Sequence, residues 1–115
     1  MRRNAGGNRL RVLGGIAKGR ALEVPTDRGV RPPLARIRKS WFDRVGDLEG
    51  ARMLDLCAGS GAMGIEALSR GAARVLFVER ERDACGAIRR NLVSVGAEGR
   101  AEVFCGGLEE AWETV

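Results

Sequence analysis

Hydrophobic and polar positions follow two rhythms along this chain. Up to Val24 they alternate. Arg9-Leu10-Arg11-Val12-Leu13 and Arg20-Ala21-Leu22-Glu23-Val24 each read as a strand with one wet face. Gly14 to Gly19 reads as the turn between them, which predicts a β-hairpin with Lys18 and Arg20 near its tip or edge. Residues 1–8 are polar and glycine-rich, and predict disorder. Thr26 to Val30 reads as a loop. Arg31-Pro32-Pro33 fixes an extended entry, because a residue before proline avoids the helical region. Helical spacing then begins. Leu34, Ile37, Trp41 and Val45 share one apolar face, which leaves Arg36, Arg38, Lys39 and Arg44 to meet solvent or phosphate. Trp41 and Phe42 are expected in the core.

Beyond Gly50 short apolar runs alternate with helix-period segments. Met53–Cys57, Arg74–Val78 and Ala101–Cys105 read as strands. Met63, Ile65, Ala67 and Leu68 mark one helix, which stops at Gly71. Ala84, Ile88, Leu92 and Val95 mark a second, with Asp83 as its cap and Gly96 past its end. A further helix starts at Leu108. Strand and helix alternation implies a parallel sheet. The expected fold is therefore α/β: a partial Rossmann-like sheet of parallel strands with flanking helices, preceded by a hairpin and a basic helix. Residues 1–50 form the basic N-terminal part and residues 51–115 the sheet part.

The chemistry concentrates in Arg52 to Gly71, a strand, a glycine loop and a helix. Residues without a Cβ at Gly59 and Gly61 let the backbone turn sharply and approach a ligand. The loop opens a helix, so free N–H groups face whatever lies over it. Asp55 sits inside the strand, where a lone carboxylate costs several kcal/mol unless it finds a partner. A cationic or hydrogen-bonding ligand at the strand end would supply one. Gly59, Gly61 and Gly64 also fit the dinucleotide spacing G-x-G-x-x-G. A dinucleotide would place a pyrophosphate there, and an acidic strand residue does not help it. S-adenosyl-L-methionine carries no phosphate and brings an amino group that suits Asp55. It is the preferred cofactor, with NAD(P) as the alternative. Glu79, at the tip of the second strand, has the reach to accept hydrogen bonds from a ribose diol. It suits both ligands. Arg80 would flank the adenine.

Charge changes the picture further. The net charge is +5, but residues 1–50 carry 12 Lys+Arg against 5 Asp+Glu, and the remainder 8 against 10. A basic first half suggests a polyanion partner held by one end of the molecule. No apolar run approaches the ~20 residues of a membrane span, and no secretory signal is expected. The sequence has no histidine, and its three cysteines lack C-x-x-C spacing, so neither a zinc site nor a disulfide framework is expected. Cys57, Cys85 and Cys105 all occupy apolar positions and are expected to be buried in a reducing cytoplasm.

Leu54 to Gly71 resembles motif I of the bacterial small-subunit ribosomal RNA guanine-N2 methyltransferases of the D type. The resemblance runs from about Arg9 to Leu108. Arg31, Pro32, Arg36, Arg38 and Phe42 match the family's Arg-Pro-Thr segment and following helix. Pro33 replaces the usual threonine, and Lys39 the usual glutamate. The resemblance implies a class I methyltransferase that uses S-adenosyl-L-methionine, bound by Asp55, Ala58, Gly59, Ser60, Gly61, Glu79 and Arg80. It implies contact with 16S ribosomal RNA, or a small-subunit assembly intermediate, through Lys18, Arg20, Arg31, Arg36 and Arg38. Gly106-Gly107 stands where the family usually places an aspartate on the adenine amine. The family's catalytic Asn/Asp-Pro-Pro-aromatic strand end is not in this sequence, so no catalytic residue is assigned. The expectation is a piece of a longer enzyme, inactive or nearly so by itself. Its first strand would keep an unpaired apolar edge. A non-catalytic RNA-binding fragment is the second alternative.

Overall fold

Valine, leucine and phenylalanine fill the central strand, Arg74–Glu79, as a strand paired on both edges favours. The computed structural model describes residues 10–25, 35–56 and 58–114. Helix α1 (Ala35–Val45) precedes β1 (Arg52–Leu56), α2 (Ala62–Ser69), β2 (Arg74–Glu79) and α3 (Arg82–Ser94). A short 3-10 turn (Glu98–Arg100), β3 (Ala101–Cys105) and α4 (Leu108–Thr114) complete the order. The three strands lie as β1-β2-β3 in one sheet, and both pairings are parallel. Asp55 stands in register with Phe77, and Glu79 with Cys105. Parallel neighbours need crossovers, and α2 and α3 supply them. The α/β expectation is met, and among the described residues β1 pairs on one side only, as anticipated.

Helix α2 is buried along almost its whole length. It lies very close to the sheet: a Cβ added at Gly64 would stand 2.3 Å from Phe77 Cε2. Only glycine allows that approach. Period-two alternation puts Leu54, Leu76 and Phe104 on the other sheet face. That face is open. Leu54 is 52% exposed, and a concavity of about 570 Å³ spans the three strands.

The N-terminal hairpin is present in a shortened form. Val12 N–H donates to Arg20 O at 3.0 Å and Leu22 N–H to Leu10 O at 2.9 Å, around a single antiparallel bridge from Arg11 to Ala21. Leu10, Val12, Ala17 and Leu22 share one core with Phe42, Ile65, Leu68, Phe77 and Ile88.

Helix α1 is turned differently from its apolar pattern. Arg38 and Phe42 are buried, while Ile37, Trp41 and Val45 are exposed. Arg38 is therefore not available to phosphate, and Trp41 is not core. The cause is Glu66 on α2, whose carboxylate is as buried as Arg38. Glu66 Oε1 lies 3.6 Å from Arg38 Nε and accepts the Leu13 N–H at 2.9 Å. Its Oε2 accepts the Gly14 N–H at 2.9 Å and Arg70 Nε–H at 2.7 Å. Arg38 donates onward to Arg11 O. Arg70 in turn stacks over Phe42 at 5.1 Å. Ser69 adds a second tie: its Oγ accepts the Ala17 N–H and donates to Gly14 O.

Two smaller expectations are corrected. Asp83 does not cap α3: it lies in the first turn, and Glu81 holds the cap position without a side-chain bond. Cys85 is buried as expected, but Cys105 is exposed, because β3 is an edge strand ending at that residue. Residues 1–9, residues 26–34 with Arg31 among them, and Cys57 lie outside the described residues.

Removing the Glu66 carboxylate leaves Arg38 buried without its counter-charge. Glu66→Ala should cost about 3–5 kcal/mol of unfolding free energy. Urea denaturation followed by circular dichroism reads this directly. A loss below about 1 kcal/mol, the value of an exposed pair, would contradict the role given to Glu66.

Candidate functional site at the carboxyl ends of the strands

Ligands of open α/β sheets bind beyond the carboxyl ends of the strands. Here those ends carry Asp55, the 58–61 loop, Glu79 and Gly106-Gly107. The loop leaves β1 and is pinned to β2 by Ala58 N–H donating to Val78 O at 3.0 Å. It turns through Gly59 and Gly61, both with positive φ, 60° and 83°. Gly61 is also confined by Ile88, whose Cγ1 would lie 3.2 Å from an added Cβ. Ser60 is buried, and its Oγ accepts the Ala62 N–H at 3.3 Å.

Two carboxylates brace this loop from below. Glu79 Oε1 accepts the Gly59 N–H at 2.7 Å, and its Oε2 accepts the Glu81 N–H at 2.9 Å. Asp55 Oδ2 accepts the Gly64 N–H at 3.0 Å. From the sequence, a ligand was the one partner expected for either residue. The structure shows that each already has backbone partners, which is how they tolerate burial. A carboxylate oxygen has two lone pairs, so both residues keep acceptor capacity for a ligand.

Burial pushes the Asp55 carboxyl up to about 6. The Gly64 N–H opposes this, and the nearby negative charge of Glu79 adds to it. An acid that titrates so close to neutrality, beside a second carboxylate, marks a site where a cationic group would be welcome.

A cleft of about 290 Å³ opens next to Glu79, lined by Glu79, Arg80, Glu81, Gly106, Gly107 and Leu108. That volume is at the lower end of small-molecule pockets. The larger concavity lies on the open sheet face, and neither it nor the small cleft is lined by Asp55 or residues 58–61; Glu79 joins the cleft to the loop, through the Gly59 N–H. Glu79 O closes the base of the small cleft, accepting the Gly106 N–H at 2.9 Å and a bond from Cys85 Sγ at 3.2 Å. Gly106 and Gly107 leave backbone, not an aspartate, on this wall. The Gly107 N–H is held by Glu110 Oε1 at 2.6 Å. Among the described residues, no cluster of His, Cys, Asp or Glu could hold a metal ion.

Asp55, Ala58, Gly59, Ser60, Gly61, Glu79 and Arg80 thus converge on one end of the sheet. Lys18 and Arg20 are exposed at the hairpin turn, and Arg36 is exposed on α1. Arg38 is not with them. Two polar residues escaped the sequence reading. Glu66 is one. The other is Asn91 on α3, 2% exposed, which bonds to Ser60 O at 3.1 Å. Both had a signal: each is a polar residue on the buried side of an apolar helix pattern. Asn91 stands three residues after Ile88 and seven after Ala84.

The raised Asp55 value has a testable sign. The folded chain holds a proton that the unfolded chain releases between about pH 4 and 6. Stability contributed by protonated Asp55 is present at low pH and is lost as pH rises through that window. The loss is on the order of 3 kcal/mol at most. Asp55→Asn should remove this fall and raise stability at pH 7 by about 1–3 kcal/mol. Thermal unfolding of both proteins across pH 4–8 tests it. Parallel pH profiles for the two would contradict the burial argument.

The family described as conserved hypothetical protein 95 matches residues 10–115. Ribosomal RNA small subunit methyltransferase D of Escherichia coli (strain K12) is 39% identical over 101 residues, which is 87% of this chain and 50% of that protein. The Haemophilus influenzae protein of the same name is 36% identical over 97 residues, 83% of this chain and 50% of its own length. The solved structure of a hypothetical protein from Thermus thermophilus superposes with a TM-score of 0.77 at 34% identity, covering 90% of this chain and 59% of that one. The chain spans about half the length of the curated relatives it matches. The glycine loop braced by two strand-end carboxylates lies inside the matched region, and the resemblance drawn from it is borne out: the chain belongs to the conserved hypothetical protein 95 family, with methyltransferases among its relatives.

Proposed function

We propose that residues 51–115 are the cofactor-binding part of an enzyme that transfers a methyl group from S-adenosyl-L-methionine to the exocyclic N2 amine of a guanine in 16S ribosomal RNA. Residues 1–50 are its RNA-facing part, and the setting is the bacterial cytoplasm. One observation carries the reading: Asp55 and Glu79 flank a glycine loop at the carboxyl ends of adjacent parallel strands. The similarity to methyltransferases that act on small-subunit ribosomal RNA supports it.

The residues present fit the group. Asp55 offers a buried negative charge to the amino group of the methionine end. Glu79 offers its remaining acceptor positions to the ribose hydroxyls. The backbone of Ala58 to Gly61 borders the methionine end, with Gly59 and Gly61 in the positive-φ conformation that its turn requires. Arg80 and the bare Gly106-Gly107 backbone border the adenine. The bound cofactor would supply an electrophilic sulfonium methyl. The protein's part in such a transfer is alignment of nitrogen with methyl, a proximity effect. The residues that aim the amine are not in this sequence, so the 115-residue chain should bind cofactor without sustained turnover.

Lys18, Arg20 and Arg36 are exposed on the hairpin and α1, the side that carries the excess positive charge. They would hold phosphates, which position RNA without reading its sequence. Arg31 has the same role by resemblance. Arg38 is withdrawn from this set by its burial.

Calorimetric titration of the chain with S-adenosylhomocysteine tests the reading, with NADH as the competing ligand. Binding of the first and not the second is expected. Asp55→Ala should weaken it at least about tenfold, the worth of one charge-assisted bond. Affinity should be full above pH 6 and fall below it, because protonated Asp55 no longer meets the amino group with a charge. Preferential NADH binding, or an affinity unchanged by Asp55→Ala, would overturn it.

A further inference from the structure

Asn91 uses its whole side-chain amide, and uses it in two directions. Its Oδ1 accepts the Glu23 N–H at 2.7 Å. Its Nδ2 donates to Glu23 O at 3.0 Å and to Ser60 O at 3.1 Å. The orientation of the amide is fixed by these partners, since one is a donor and two are carbonyls. Glu23 lies in the second arm of the N-terminal hairpin, and Ser60 is the middle residue of the glycine loop. The side chain therefore pairs with the hairpin backbone as a neighbouring strand would, while its other hydrogen holds the loop. On the neighbouring turn position, Arg90 grips the Glu23 carboxylate with two bonds of 2.9 and 2.8 Å. α3 thus clasps the end of the hairpin at both backbone and side chain.

An aliphatic residue at position 91 would continue the stripe of Ala84, Ile88 and Leu92 and need no partners. An amide here satisfies three backbone groups, Ser60 O in a buried place and the Glu23 N–H and O in a half-buried one, that would otherwise be left short of bonds. More importantly, it makes the position of Ser60 depend on the position of Glu23.

We propose that Asn91 is a positioning residue that joins the hairpin to the glycine loop, so that RNA gripping the hairpin and cofactor filling the loop bind cooperatively. The proposal rests on the function proposed above, for the identity of the two ligands. Its physical content is separate. A ligand that fixes Glu23 fixes Ser60 through one side chain, and linkage makes the effect reciprocal. The Glu66 and Ser69 bonds hold the turn of the same hairpin to α2. Of these bonds, the one from Asn91 reaches the loop itself.

The test measures a ratio. A fluorescein-labelled RNA hairpin is titrated with the full chain, with and without saturating S-adenosylhomocysteine. The wild-type chain should bind the RNA at least about fivefold more tightly with the cofactor product present, and the reciprocal titration should give the same factor. Asn91→Asp keeps the size and the acceptor for the Glu23 N–H but can donate to neither Glu23 O nor Ser60 O. Its ratio should fall to about one, whatever happens to the separate affinities. General loosening of the fold weakens both affinities together and leaves the ratio standing. Should the buried charge of that variant prevent folding, Arg90→Gln loosens the same hairpin arm from the surface. It should lower the ratio while S-adenosylhomocysteine alone binds as before. Binding of both ligands to the wild-type chain with no mutual effect would overturn this proposal and leave the proposed function intact. So would a ratio that survives in the folded Asn91→Asp and Arg90→Gln proteins. Failure of the wild-type chain to bind S-adenosylhomocysteine at all would overturn both.

Discussion

The Glu66 carboxylate is the constraint on which this arrangement depends. It is buried on a helix that is itself buried, and it gathers backbone N–H groups from the hairpin and guanidinium groups from α1 and from Arg70 at the end of α2. A charge in that position has strong demands: it must be paired and hydrogen-bonded or the segment will not stay folded. Those demands set the orientation of α1, which turns Arg38 inward and leaves Trp41 outside. They also set where the hairpin lies. Helix α2 begins at the glycine loop and ends at the hairpin, so the same rod positions both.

A pair of carboxylates acts in a comparable way at the other end of α2. Asp55 receives the Gly64 N–H and Glu79 receives the Gly59 N–H. Together they clamp the loop from two adjacent strands. The clamp keeps negative charge close beneath a helix N-terminus. That combination is poorly suited to a pyrophosphate and well suited to a ligand that carries both a cationic amine and a ribose. The electrostatics of the site and its backbone geometry therefore argue for the same ligand class.

Much of this was legible in the residues. The three strands, the crossover helices and the glycine loop follow from short β-rich runs alternating with helical spacing, and local pattern agrees with global fold there. Asp55 and Glu79 stood out because carboxylates at strand ends are conspicuous. The orientation of α1 was not legible. Pattern reading turns arginine outward and tryptophan inward, and Arg38 reverses this only because a residue 28 positions later supplies a buried counter-charge. Asn91 and Glu66 leave a local signal, a polar residue on the buried side of a helix pattern, but most of their partners are distant in sequence, so periodicity does not reveal what they hold. The exposure of Cys105 follows from sheet order, which the chain's own rhythm does not reveal.

In the proposed function the ligand lies at the loop-bearing end of the sheet, rather than in the wider concavity over Leu54, Leu76 and Phe104. Backbone amide shifts of isotope-labelled protein, recorded during titration with S-adenosylhomocysteine, separate the two. Changes should be largest at Gly59, Ser60, Gly61, Gly106 and Gly107, with the mid-strand amides of Leu54 and Leu76 little affected. Shifts centred on those mid-strand amides, or none at the loop at saturating ligand, would contradict it.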